Sequence, residues 1–192
     1  VVNGKLSSFD FKFEKFYQNN FVPVKELDLN YHLNFSENNN SNSMQNLNTA
    51  LYESGFSLNI EEGYKFKKPI VFFNYFTGDF KNKIINNSEI IKMSKDSQAT
   101  VIEYLVDATK GKYFKNTFKC FDIQDNASLN YYFINRKNSA NFFYDYSKIK
   151  LLTNSSFKKY IFSSGLKFYK SDNNIILAGK KSNSEIYSGL FL

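Results

Sequence analysis

The sequence contains no tryptophan, one cysteine (Cys120), one histidine (His32), two prolines and one arginine, Arg136, among its 25 basic residues. A lone cysteine excludes an internal disulfide framework. A lone histidine with no Cys or second His nearby cannot by itself make a metal site of ordinary ligand count. It also removes most general-base mechanisms, which rely on imidazole near neutral pH. No apolar run approaches the ~18 residues of a membrane span, since Ile70–Phe73 is broken at once by Asn74. No Walker A, GxGxxG, GxSxG or HExxH pattern occurs, so nucleotide and metalloprotease chemistry have no support. Val1-Val2-Asn3-Gly4 carries neither a charged n-region nor an apolar h-region, which makes the cytoplasm the expected compartment. With no starting Met, the chain is expected to have lost sequence upstream.

What is present points to β structure. In 192 residues with 42% hydrophobic and 22% charged content there is room for one domain with a real core. The 22 Phe and 14 Tyr favour pleated, half-buried strands. The net charge of +7 raises the question of a nucleic-acid partner. Specific recognition of bases or phosphates leans on the arginine fork, nearly absent here, and the lysines are scattered with acids between them. No nucleic-acid or membrane partner is expected. The joint excess of Lys, Asn, Ile, Phe and Tyr matches an AT-rich coding bias.

Residues 36–46, which open with Ser36-Glu37-Asn38-Asn39-Asn40-Ser41-Asn42-Ser43, form a polar stretch that buries nothing and is expected to be a mobile loop. Leu47, Ala50 and Leu51 then follow helical spacing with Gly55 as a stop, predicting one short helix near residues 46–54. From Phe56 the period is two. Predicted strands are 56–60, 71–76, 100–106, 114–121, 129–134, 142–146 and 157–163. In the strand from Phe114, alternation sets Phe114, Phe118 and Cys120 on a core face and Lys115, Thr117 and Lys119 on a wet one. Strand starts at 100, 114, 129, 142 and 157 are nearly periodic, and the connections between the first four are too short for crossover helices. Those connections also lack the Asn-Gly and Asp-Gly pairs of tight hairpins. A β-helix (β-solenoid) satisfies all three observations, with a β-sandwich as the runner-up. The chain therefore reads as all-β, a single β-helix domain over residues 1–192.

Candidate chemistry is sparse. A thiolate at Cys120 would suit iron or zinc, yet its place beside Phe118 predicts an inert core thiol. His32 is expected at a surface or strand edge. Glu103, Asp107, Asp122 and Asp125 would serve acid–base work only if paired. Glu103 is singled out because Val101 and Leu105 flank it on its own strand face. A solvated or hydrogen-bonded carboxylate is the expectation for all four. The alternative function is a carbohydrate-binding or polysaccharide-degrading β-helix, in which Tyr131, Tyr132, Tyr144 and Tyr146 would stack on sugar faces beside paired carboxylates.

The segment Ser97-Gln98-Ala99-Thr100-Val101-Ile102-Glu103-Tyr104 resembles the SufB/SufD family of iron–sulfur assembly proteins, and within it the SufD branch. Collinear segments are similar too: Asn3-Gly4, Leu47-Asn48-Thr49-Ala50 with Gly55, Lys68-Pro69-Ile70, Tyr113-Phe114-Lys115-Asn116, and Asn126-Ala127-Ser128-Leu129. So are Ser164-Gly165, Lys170-Ser171-Asp172, Leu177-Ala178-Gly179 and Ser188-Gly189-Leu190-Phe191-Leu192. Leu166 stands where a second Gly is usual and Lys170 where Arg is usual.

The resemblance implies an internal fragment, truncated at both ends, of a non-catalytic scaffold subunit. Such a subunit pairs with a SufB-like paralogue and a SufC-like ATPase in a SufBCD complex. The iron–sulfur cluster forms transiently in that complex, and this stretch binds no cofactor of its own. The family's cluster-site histidine and its ATPase-docking segment belong to the C-terminal region, so no catalytic, cofactor-binding or metal-binding residue is carried onto this chain.

Overall fold

The computed structural model describes residues 1–10, 24–30, 42–136 and 139–191. One sheet runs, in order, β1 (Val24–Glu26), β2 (Ser54–Ile60), β4 (Ile84–Met93), β6 (Phe114–Ile123), β8 (Ser139–Leu151) and β10 (Leu166–Leu177). The other runs β11 (Asn183–Phe191), β9 (Ser156–Ser164), β7 (Ser128–Asn135), β5 (Gln98–Lys110) and β3 (Ile70–Asp79). From β2 onward the chain alternates between the two sheets, and all these strand pairs are parallel except β1–β2. The result is a β-solenoid of about four turns. The parallel ladders exclude the sandwich, which is built of antiparallel sheets. The near-regular spacing of predicted strands is the spacing of half-coils, one strand per sheet.

Corners explain why the coils stack without crossover helices. Turns at 94–97, 124–127, 152–155 and 179–182 place Asp96, Asn126, Asn154 and Lys181 at positive φ of 59°, 57°, 55° and 57°. Asn and Asp tolerate this left-handed conformation better than most residues. Their side chains also link the coils: Asn126 Nδ2 donates to Asp96 Oδ1 at 2.8 Å, and Asn154 Nδ2 to Asn126 Oδ1 at 3.1 Å. The backbone does the same, with Asn126 N–H donating to the Thr153 carbonyl at 2.9 Å.

The helix α1 spans Ser43–Ala50, earlier than the 46–54 predicted. Asn42 sets the start, its Oδ1 accepting from the N–H groups of Met44 and Gln45 at 3.0 and 3.1 Å. Residues 43–46 therefore belong to the helix and not to the expected loop, whose part at 36–41 lies outside the described residues. Gly55 does not stop the helix, which ends at Ala50 with Leu51 as its C-cap; it sits inside β2, where a Cβ would meet the Ser88 carbonyl oxygen at 2.3 Å. The predicted strands all appear, lengthened. Four were not among the predicted strands: β1, β4, β10 and β11.

The main apolar core lies between the sheets and includes Phe56, Ile91, Val101, Phe121, Leu129, Ile149 and Phe157. A second cluster, Leu27, Ile90, Phe118, Cys120, Tyr144 and Tyr146, lies on the outer face of the six-stranded sheet, with Met44 and Tyr52 packed on it. Asn48 fixes α1 over this face, donating to the carbonyls of Asn87 and Asn116 at 3.0 and 2.8 Å and accepting from Ser88 Oγ at 3.1 Å. The outer face of the five-stranded sheet has no such cover among the described residues, and Val71, Phe73, Tyr75, Phe162 and Tyr187 are exposed there.

Candidate functional site

The strand from Phe114 is inverted relative to its predicted faces. Phe118 and Cys120 pack outside the solenoid in the second apolar cluster, while Lys115, Thr117 and Lys119 point between the sheets and are 3%, 3% and 1% exposed. The face that reads as wet is the interior. Covering the outer face with a helix turns it into a second core, so both faces of β4 and β6 are buried.

Register then decides what the inward lysines meet. Glu89, Lys119, Ser147 and Asn173 occupy one column across β4, β6, β8 and β10. The facing sheet supplies Asn74 from β3, Glu103 from β5, Tyr131 from β7 and Lys159 from β9. Lys119 Nζ pairs with Glu89 Oε2 at 3.2 Å, forms a short ion pair with Glu103 Oε2, and donates to Tyr131 Oη at 2.6 Å. Tyr131 Oη in turn donates to Glu103 Oε2 through a short hydrogen bond. Asn74 Nδ2 donates to Glu89 Oε1 at 3.0 Å and Glu103 Oε1 at 2.9 Å, holding the two carboxylates together. One coil further on, Lys159 Nζ donates to Asp145 Oδ2 at 3.1 Å, Ser147 Oγ at 2.7 Å and Asn173 Oδ1 at 3.0 Å. Lys115 has no carboxylate within 4 Å among the described residues; its ammonium lies over the rings of Phe76 and Phe143, 5.1 and 5.7 Å from their centroids.

Burial opposes ionisation of every group here, and position decides which yields. Glu89 is pushed up to about 7 by burial and by neighbouring Glu103. Burial also works against the Glu103 carboxylate, but Lys119 and Lys115 outweigh it and hold that carboxyl at about 2. Lys119, buried yet flanked by Glu103 and Glu89, is raised well above the ordinary lysine range. Lys115 and Lys159 are lowered, by burial first. Lys119 with Glu103 is thus the firmly ionised pair. Glu89 is the carboxyl that exchanges a proton near neutrality.

The remaining candidates are dispersed. Glu103 is hydrogen-bonded, as one arm of its expectation had it, and not solvated. Asp107 is buried and accepts from Thr109 N–H and Oγ1 at 2.9 and 2.7 Å and from Asn141 Nδ2 at 2.7 Å, which lowers its pKa despite burial. Asp125 lies at a corner and accepts from Thr153 N–H at 2.8 Å, and Asp122 accepts from Gln124 at 2.9 Å. Cys120 is buried and its thiol is pushed up to about 12 by that burial, as an inert core thiol requires. Among the described residues no group of three or more His, Cys, Asp or Glu could hold a metal ion. His32 lies outside the described residues.

The sugar-binding alternative finds no site. Tyr131 is inside the solenoid, and Tyr144 and Tyr146 are buried in the outer-face cluster. Tyr132 does face outward, in a row with Tyr160 and Tyr187. The rings of that row stack on one another at 4.5 and 5.1 Å, with planes within 8° and 10°. Their faces are therefore spent on each other rather than offered to a sugar ring. The paired carboxylates Glu89 and Glu103 lie on the opposite side of the sheet, indoors with Lys119.

The inward lysines were missed because alternation assigns faces but not which face is covered. The available signal was Asn86-Asn87-Ser88-Glu89, a polar run inside an otherwise apolar stretch. All four residues are buried.

Comparison with known proteins agrees with this architecture. No curated protein matches the chain. Residues 75–192, more than half of the chain and the stretch that contains β4 to β11 with nearly all of the charge network, match the family described as SUF system FeS cluster assembly, SufBD core domain. The chain belongs to that family, the SufBD core proteins of SUF iron–sulfur cluster assembly.

Proposed function

We propose that this chain is the solenoid part of a SufD-like scaffold subunit, which itself carries out no chemistry and works in the cytoplasm with a SufB-like paralogue and a SufC-like ATPase. The observation that carries the reading is the interior of the solenoid. Its strongest ionisable constellation, Lys119 with Glu103 and Glu89, is enclosed and internally satisfied. Groups held this way stiffen a core and do not turn over a substrate. The SufD assignment within the family rests on the likeness of Ser97–Tyr104 and the collinear segments after it. The nascent iron–sulfur cluster is then cargo of the assembled complex, and this stretch binds no cofactor of its own. A rigid stack of parallel coils suits a part that transmits motion from an ATPase to an assembly site.

The test is co-purification of the full-length protein with SufB-like and SufC-like proteins from the same source. A stable ternary complex supports the scaffold reading. A complex of this protein with the ATPase and a second copy of itself would assign it to the SufB side of the family. Failure to bind either partner overturns the proposal.

A further inference from the structure

Within the solenoid interior, beside the charge network, lies a cavity of about 10 Å³ lined by Lys115, Thr117, Lys119, Asp145 and Tyr169 with aromatic neighbours. Three buried polar groups border it with unfilled hydrogen-bonding capacity. Asp145 Oδ2 is bound by Lys159, but Asp145 Oδ1 has no hydrogen-bond partner among the described residues. Tyr169 Oη, which has Ser171 beside it, makes no hydrogen bond of ordinary geometry among the described residues. Lys115 is 3% exposed, and among the described residues its ammonium has no carboxylate within 4 Å and lies over the ring faces of Phe76 and Phe143. Lys119, the other cation on the wall, has its three donors engaged by Glu89, Glu103 and Tyr131.

We propose that this cavity is a binding site for one internal water molecule, which accepts a hydrogen bond from Lys115 Nζ and donates one to Asp145 Oδ1, with Tyr169 Oη as its third partner. The space is that of a single water, and such a molecule needs two to four polar partners. The chemistry of the wall selects water over an ion. A halide or other anion would lie against Asp145 Oδ1, the one acceptor still without a donor. A cation would lie against Lys115 and Lys119. Only a neutral species that both accepts and donates satisfies Lys115 and Asp145 together. Burial lowers the pKa of Lys115, and Asp145 opposes that shift, which places the two groups within electrostatic reach of each other. Bridging them ties Lys115, between Ile85 and Phe143 in its column, to the Asp145–Lys159–Asn173 cluster. The polar interior would then be hydrogen-bonded from β6 through to β10.

A crystal structure of the chain at a resolution that shows ordered water, with a parallel crystal soaked in bromide, tests the site. Density for one water within hydrogen-bonding distance of Lys115 Nζ and Asp145 Oδ1 is the expected result. A direct Lys115–Asp145 ion pair that closes the cavity overturns it, as does an anomalous bromide peak there. In solution, the unfolding equilibria of Lys115→Met, Asp145→Asn and the double variant should be non-additive by about five-fold or more. Additivity within about two-fold would overturn the bridge without recourse to crystals.

Discussion

Replacing Lys119 by methionine keeps most of the side-chain length and removes the charge. In the folded chain this leaves Glu103, 1% exposed, without the cation that holds its pKa near 2, and Tyr131 Oη without its donor. Asn74 continues to hold Glu89 and Glu103 together, so two buried carboxyls face each other with Lys115 as the nearest remaining compensation. Breaking a buried ion pair from one side costs about 3–5 kcal/mol, since the surviving charge keeps its desolvation penalty. Urea unfolding followed by circular dichroism at pH 7.5 should show that loss. At pH 5 the loss should shrink, because Glu103, freed from Lys119, takes up a proton and becomes neutral. Adding Glu103→Gln should recover part of the stability at pH 7.5, since a neutral amide leaves no buried charge to compensate. A loss below about 1 kcal/mol, or one equal at both pH values, would refute the claim that this pair is desolvated and firmly ionised.

Glu89 carries a pH dependence of opposite sign to that of Glu103. Its folded pKa of about 7 lies above the ordinary 4.5, so its contribution is complete below about pH 4.5 and is lost as the pH rises toward 7. Glu103, held at about 2, contributes stability that is complete above about 4.5 and is lost as the pH falls toward 2. Glu89→Gln should therefore abolish a decline of about 3 kcal/mol between pH 4.5 and 7 that the parent chain shows; parallel urea midpoints for the two proteins across that range would contradict the assignment. Native Cys120 should alkylate with iodoacetamide at pH 8 about 10³-fold more slowly than a free thiol, because a pKa of about 12 leaves little thiolate. Labelling at the rate of a free thiol would place it at the surface. Asn154→Ala should cost about 1 kcal/mol in thermal unfolding and Asn154→Gly less, given its φ of 55°; both variants lose the link to Asn126, so the reverse order would contradict a left-handed backbone at this corner.

The half-coil rhythm was legible because the predicted strands are rich in β-branched and aromatic residues, with the clearest alternation in 56–60 and 114–121, and the bends between strands are short. β4 was not legible. Its centre, Asn86-Asn87-Ser88-Glu89, is polar at every position and yet buried at every position, the Asn86 and Ser88 side chains toward the helix side and those of Asn87 and Glu89 inward toward Thr117 and Lys119. A period of two cannot be seen where both faces demand hydrogen bonds. The same cause inverted the faces of β6. Phe118 and Cys120 do pack into an apolar cluster, but the cluster lies on the outer face with Met44 and Tyr52 against it, and the charged side faces the axis. The position of α1 depends on Asn42 and on Asn48 reaching the carbonyls of Asn87 and Asn116, contacts distant in sequence. Glu103 stood out as a carboxylate between two core residues, but its partners come from β3, β4, β6 and β7. Only the coil register assembles them.

That register gives the polar interior a physical role. Parallel coils with apolar interiors slide past one another at little cost, because one Val or Phe column resembles the next. A slip of one residue flips every side chain to the other face of its sheet. In β6 such a slip would bring Phe118 and Cys120 inward and carry Lys119 out from between Glu89 and Glu103, leaving two buried carboxyls uncompensated. A slip of two residues keeps the faces but moves Lys119 into the column of Thr117, away from Glu89. The charge network thus penalises both errors, in the way a single buried polar residue fixes register in other assemblies of repeating structure. Stiffness of this kind is what the proposed scaffold role would need, since coils that cannot slip pass on displacement instead of absorbing it.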